Sequence, residues 1–162
     1  MEVMLTRFAQ ALGIAALIML GLFLVGKFDK AHAEDAAIGD SIALGTGRAL
    51  HVHTFARVGA SSCWVLAHMP RRQFEHVVIS AGINDAPGRC VRLILAQVRT
   101  RVIVVILPAP INSARAHVEV AAVQYGAYPI SYACKGGCTT TNFHPGSYTQ
   151  VARDVRNIWD RR

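Results

Sequence analysis

A three-layer α/β/α domain built on a mostly parallel five-stranded sheet is the architecture this sequence predicts, after an N-terminal apolar helix. Three observations predict it. Short apolar runs rich in β-branched residues alternate with stretches of helical period, and those runs stop on turn residues. The composition is 52% hydrophobic and only 17% charged over 162 residues, which excludes a disordered chain or a coiled coil and leaves room for one compact domain.

The chain begins with a short basic segment ending at Arg7, followed by 19 almost unbroken apolar positions from Phe8 to Gly26, and returns to polar residues at Lys27. Ala31-His32-Ala33 fits the small-x-small pattern of a secretory cleavage site, and a cut after Ala33 leaves 129 residues starting at Glu34. The apolar run is longer than the roughly 7–15 residues of a usual signal core and approaches the roughly 20 that span a bilayer. Residues 1–33 therefore read as a signal peptide or a membrane anchor through residues 8–26, and residues 34–162 as an exported, periplasmic or secreted domain.

Within that domain, Ala36-Ala37-Ile38 forms a first strand ending at Gly39-Asp40. His51 to Val58 alternates as a second and stops near Gly59, His76 to Ser80 is a third, and Val102 to Leu107 is a fourth, ending at Pro108. Ala127 to Ala133 makes a fifth, and Pro129 assigns it to a sheet edge because proline lacks the N–H a central strand needs. Helices are predicted over Ser61–Met69 and Arg89–Val98. A third is capped by Ser113, with Ala114, Val118, Ala121, Ala122 and Tyr125 inward, and a last is capped by Ser147, with Tyr148, Val151, Val155, Ile158 and Trp159 inward. The connection from Gly39 to Leu50 is too short for a comfortable crossover helix, which predicts a trimmed fold.

Four cysteines in an exported chain favour disulfides over free thiols. Three pairings are open. Cys134-Lys-Gly-Gly-Cys138 can close a tight loop, which leaves Cys63 with Cys90. Zinc is disfavoured because no CxxC pair and no ligand-spaced histidine accompany them. Beyond residue 33 there are 14 basic and 8 acidic residues, net +6, which suits an anionic cell surface. The charges are dispersed, with no long run and no aromatic interleaving, so no nucleic-acid partner is expected.

In open parallel sheets the functional groups gather at the carboxyl ends of the strands. Here those ends carry Asp40-Ser41, then Gly59, then Asn84-Asp85, with His144 in the loop after the fifth strand. They offer a nucleophile, a glycine that lets backbone approach a ligand, an amide donor and a base. In this order the blocks Gly39-Asp40-Ser41-Ile42, Val58-Gly59-Ala60-Ser61, Gly82-Ile83-Asn84-Asp85 and Thr141-Asn142-Phe143-His144-Pro145 resemble those of the SGNH hydrolase superfamily, the GDSL-type esterases and lipases. The resemblance spans essentially Ala36 to Trp159. The chain lacks the G-x-S-x-G elbow of the α/β-hydrolases, since Ala43 stands at its last position, and this favours a flavodoxin-like arrangement.

The resemblance implies Ser41 as nucleophile and His144 as base, with an oxyanion hole made of the backbone N–H groups of Ser41 and Gly59 and the side-chain amide of Asn84. It implies no metal and no cofactor. A serine hydroxyl is a poor nucleophile until an imidazole accepts its proton, and each oxyanion donor is worth about 3–4 kcal/mol of barrier. One departure stands out. The family acid lies three residues before the histidine, and that position holds Thr141. The tautomer of His144 must then be set by a backbone carbonyl, by Thr141, by Asn142 or by an acid remote in sequence such as Asp85, while a Cys134–Cys138 bridge would stiffen the loop.

The expected function is an exported serine esterase acting on carboxylic esters through an acyl-Ser41 intermediate. Short loops imply a shallow site suited to a small acyl group such as acetyl on a cell-wall or surface polysaccharide. The alternatives are a weak or inactive relative of that fold that binds surface glycan, and a basic surface-binding protein with vestigial hydrolase blocks. His51 and His53 share one strand face but have no third ligand, so they read as exposed strand residues. Trp64 can line an acyl or sugar pocket or belong to the core.

Overall fold

The computed structural model describes residues 34–85 and 87–162, so the predicted leader or anchor lies outside the described residues. Five strands, β1 (Ala36–Gly39), β2 (His53–Ala56), β3 (Gln73–Ser80), β4 (Arg99–Ile106) and β5 (Tyr128–Ile130), form one sheet in the order β2-β1-β3-β4-β5. All four pairings are parallel, in registers such as Ile38 opposite Phe55 and Ile79, and Val105 opposite Pro129. This is the flavodoxin-like order, with its topological switch between β1 and β3. Pro129 does sit on an edge strand.

Strand side chains alternate between two cores, as a sheet covered on both faces requires. Ala36, Ile38, Val77, Ile79 and Val105 face one core, where they meet α2 (Ser62–His68), α3 (Val91–Gln97) and α4 (Arg115–Gln124) through Val65, Ile94, Leu95 and Val118. Ala37, Val78, Val104 and Ile106 face the other, where α1 (Ser41–Leu50) and α5 (Tyr148–Trp159) supply Ile42, Leu50, Val151, Val155 and Trp159. The layers are thus helix, sheet, helix.

The expectation that Gly39–Leu50 lacks a crossover helix is overturned: α1 fills ten residues of it. Asp40 caps its start by accepting from Ile42 N–H at 2.9 Å, and His51 ends it in the left-handed conformation at φ 58°. The segment fits because Gly45 lets α1 lie directly against α5, where a Cβ would run into the ring of Tyr148. His51 is therefore a helix cap and not a strand residue, and only His53 lies on β2.

The other caps are mixed. Ser61 and Ser147 cap α2 and α5 by accepting from Trp64 and Gln150 N–H. Ser113 does not cap α4. Ala114 is the capping residue, and Asn112 Oδ1 accepts from its N–H at 2.9 Å. Tyr125, expected inward, is instead the C-terminal cap of α4 and is 43% exposed, because it lies past the last helical turn. Disulfides join Cys63 to Cys90 and Cys134 to Cys138. Two disulfides suit an oxidising, extracellular compartment. Among the described residues no helix is long and apolar enough to cross a membrane.

Candidate functional site

Ser41 is the first residue of α1 and follows β1 by one residue, at the switch point of the sheet. Gly39 makes this turn possible. Its φ of +146° and its contact with the Ser80 carbonyl leave no room for a Cβ, so β1 can bend into α1 while Asp40 N–H donates to Ser80 O at 3.0 Å. On the other side, Arg57 N–H donates to Gly39 O at 3.1 Å, which draws the end of β2 alongside. Gly59 then stands exposed with a φ of +72°. Neither Ser41 N–H nor Gly59 N–H donates to a backbone carbonyl among the loop and cap hydrogen bonds of the described residues.

Asn84 follows β3. Its Nδ2 donates to Ala60 O at 3.0 Å, which ties it to the Gly59 loop and spends one of two amide hydrogens. The other is left for a ligand. Asp85, by contrast, does not reach the histidine. Its carboxylate accepts from the N–H and hydroxyl of buried Ser62, at 2.6 and 2.5 Å, and Ser62 Oγ in turn accepts from Cys90 N–H at 3.0 Å. Together with the Cys63–Cys90 disulfide, this clamps the start of α2 to the segment before α3.

His144 lies in the irregular segment between β5 and α5, half-buried and stacked on Phe143 with ring centroids 4.9 Å apart. Its Nδ1 is 2.8 Å from the hydroxyl of Tyr148, four residues on in the first turn of α5. Thr141 and Asn142 are engaged elsewhere, so both join Asp85 as corrected expectations. Thr141 Oγ1 pairs with Thr139 Oγ1 at 3.3 Å, and Asn142 Nδ2 donates to the carbonyls of Lys135 and Gly137 at 2.7 and 2.9 Å. Asn142 thus stitches the Cys134–Cys138 loop to the segment carrying His144. Tyr132 adds a further tie by donating to Phe143 O.

Tyr148 links His144 to α1. Its ring seats on Gly45, one helical turn after Ser41 and so on the same face of α1. No hydrogen bond joins Ser41 Oγ to His144 among the described residues. Asp40, the cap of α1, is fully buried, with Oδ1 on Ile42 N–H and the Ser80 side chain beside its carboxyl. Burial pushes its carboxyl from 3.8 up to about 6. Burial, and then the charge of Asp40, push the hydroxyls of Tyr132 and Tyr148 above the ordinary tyrosine range. The two tyrosines were missed by sequence reasoning, although the spacing of four between His144 and Tyr148 was visible at the start of a predicted helix.

Trp64 stacks on His68 at 4.2 Å, with the Arg57 guanidinium 5.4 Å from its ring, and so forms a short column beside the Gly59 loop. A hollow of about 570 Å³ lies elsewhere. Glu34, Asp35, His51, Val52, His53 and Arg156 line it at the amino ends of β1 and β2, and His53 Nε2 there lies 3.3 Å from Glu34. No family model, curated protein or solved structure matches this chain.

Proposed function

We propose that this protein is a serine esterase of the SGNH type that hydrolyses small acyl esters, acetyl on a glycan being the best-fitting class. The observation that carries this reading is topological: Ser41, Gly59 and Asn84 follow the carboxyl ends of β1, β2 and β3 in an all-parallel sheet, and His144 lies in the segment that follows the carboxyl end of β5. Ser41 Oγ attacks the ester carbonyl carbon while its proton passes to His144 Nε2. The negative charge on the carbonyl oxygen falls to the N–H groups of Ser41 and Gly59 and to the free amide hydrogen of Asn84. Collapse breaks the ester C–O bond, and the departing alcohol takes the proton from Nε2. Water, activated by the same nitrogen, then releases the acid and restores Ser41.

Exposed Gly59 and the half-buried Ser41 support an open site, and an open site offers a long acyl chain no enclosed channel, which favours a short one. The Arg57–Trp64–His68 column suits a sugar face and an anionic substituent on the alcohol side. Reaction with a fluorophosphonate tests the assignment. Stoichiometric labelling of the folded protein that disappears in Ser41→Ala is expected. No labelling, or labelling that survives in Ser41→Ala, defeats it and leaves a glycan-binding protein of the same fold as the alternative. Preference for long-chain over acetyl esters would remove the substrate class.

A further inference from the structure

The structure assigns Tyr148 as the positioning residue that holds His144 in the Nδ1–H tautomer. This rests on the serine esterase reading and concerns what replaces the missing acid before His144.

Geometry comes first. For His144 to accept a proton from Ser41 at Nε2, its own proton must sit on Nδ1 and have an acceptor there. The Tyr148 hydroxyl is at that acceptor position, 2.8 Å away. The tyrosine itself has little freedom. Its ring is pressed on Gly45 of α1 and packs against the core shared by α1 and α5, and its backbone is fixed in the first turn of α5 behind the Ser147 cap.

A hydroxyl can donate or accept, and donation from Tyr148 to Nδ1 would put the imidazole proton on the wrong nitrogen. The hydroxyl turns freely about its C–O bond, so its hydrogen can point away from His144 and leave a lone pair of Tyr148 Oη for Nδ1–H. Tyr132 does not compete, since its hydroxyl donates to Phe143 O. When His144 gains the proton of Ser41, the same arrangement stabilises the imidazolium without a proton leaving Nδ1.

Nitrogen NMR of ¹⁵N-histidine-labelled wild-type protein at about pH 8 reads the tautomer of His144 directly. A protonated Nδ1 and bare Nε2 are expected, and a protonated Nε2 overturns the assignment whether or not any variant folds. In Tyr148→Phe, which keeps the ring on Gly45, the Nδ1–H preference is expected to be lost and Ser41-dependent labelling to slow at least about tenfold. An unchanged tautomer or labelling rate in a folded Tyr148→Phe protein also overturns it. If wild-type protein shows the Nδ1–H form but never labels at Ser41, the esterase reading has failed and the positioning has not.

Discussion

The two sides of the candidate site are built on different principles. On the nucleophile side, Ser41, Gly59 and Asn84 follow three paired strands, and backbone bonds such as Arg57 N–H to Gly39 O and Asp40 N–H to Ser80 O hold the turns after β1 and β2, while Asn84 Nδ2 ties to Ala60 O. On the base side, His144 sits between β5 and α5 in a segment whose one bridge, Cys134 opposite Pro145, is isolated. There, side chains do the holding: the Cys134–Cys138 disulfide, the two bonds from Asn142, and the hydroxyls of Tyr132 and Tyr148. A group placed by the sheet moves only if the core moves. A group placed by side-chain ties can lose its geometry while the fold stays intact.

The sharpest way to break this contrast is to cut the staple of each side. Cys63 and Cys90 are 27 residues apart, and closing so long a loop restrains the unfolded chain strongly. Changing both to Ser is expected to remove about 3–4 kcal/mol of unfolding free energy. Because the Ser62–Asp85 bonds still fix α2, serine labelling per folded molecule should stay near the wild-type rate. Denaturant unfolding beside fluorophosphonate kinetics measures both. A loss below about 1 kcal/mol would remove the distinction on this side.

The same contrast explains what was legible in the residues. Val102 to Leu107 and Val77 to Ser80 announce buried parallel strands because every side chain must face one of two cores, and the site residues at their ends follow from that. The α1 helix was not legible by length alone, since its room comes from a glycine at 45 meeting a tyrosine at 148, more than a hundred residues away. The partner of His144 escaped for a related reason. A sequence block suggests where a family acid should be, and it says nothing of a hydroxyl one turn into the next helix. Asp85 misled because its carboxylate satisfies Ser62, a need visible only once α2 and the turn after β3 are packed together.

Asp40 sharpens the contrast from inside the nucleophile side, because among the described residues it is a fully buried carboxyl whose cost is felt by the fold. Burial raises its carboxyl from 3.8 to about 6, so the folded state holds that proton more tightly than the unfolded chain. Its contribution is most favourable below about pH 3.8 and is lost as pH rises through about 6. Asp40→Asn keeps the Oδ1 cap on Ile42 N–H and removes the charge. It is expected to be more stable than wild type by about 1–3 kcal/mol at neutral pH, the margin growing with pH across that window. Thermal unfolding of both proteins across the acid range checks this, and a margin that shrinks with rising pH would contradict it.

The smallest effect on stability is expected at Cys134 and Cys138, and there the comparison is most exposed. Only four positions separate them, so the chain-entropy estimate for replacing both by Ser is about 2 kcal/mol or less. The functional consequence runs the other way. Asn142 donates to Lys135 O and Gly137 O, both inside the disulfide loop, and Gly146 N–H donates to Ala133 O just before it. Opening the loop loosens those acceptors together and frees the stretch from Phe143 to Ser147 that carries His144. Serine labelling should therefore fall several-fold in a protein that still unfolds cooperatively, the reverse of the outcome at Cys63 and Cys90. Equal labelling by the two disulfide variants, each corrected for folded fraction, would mean that Tyr132 and Tyr148 hold His144 without help from the staple.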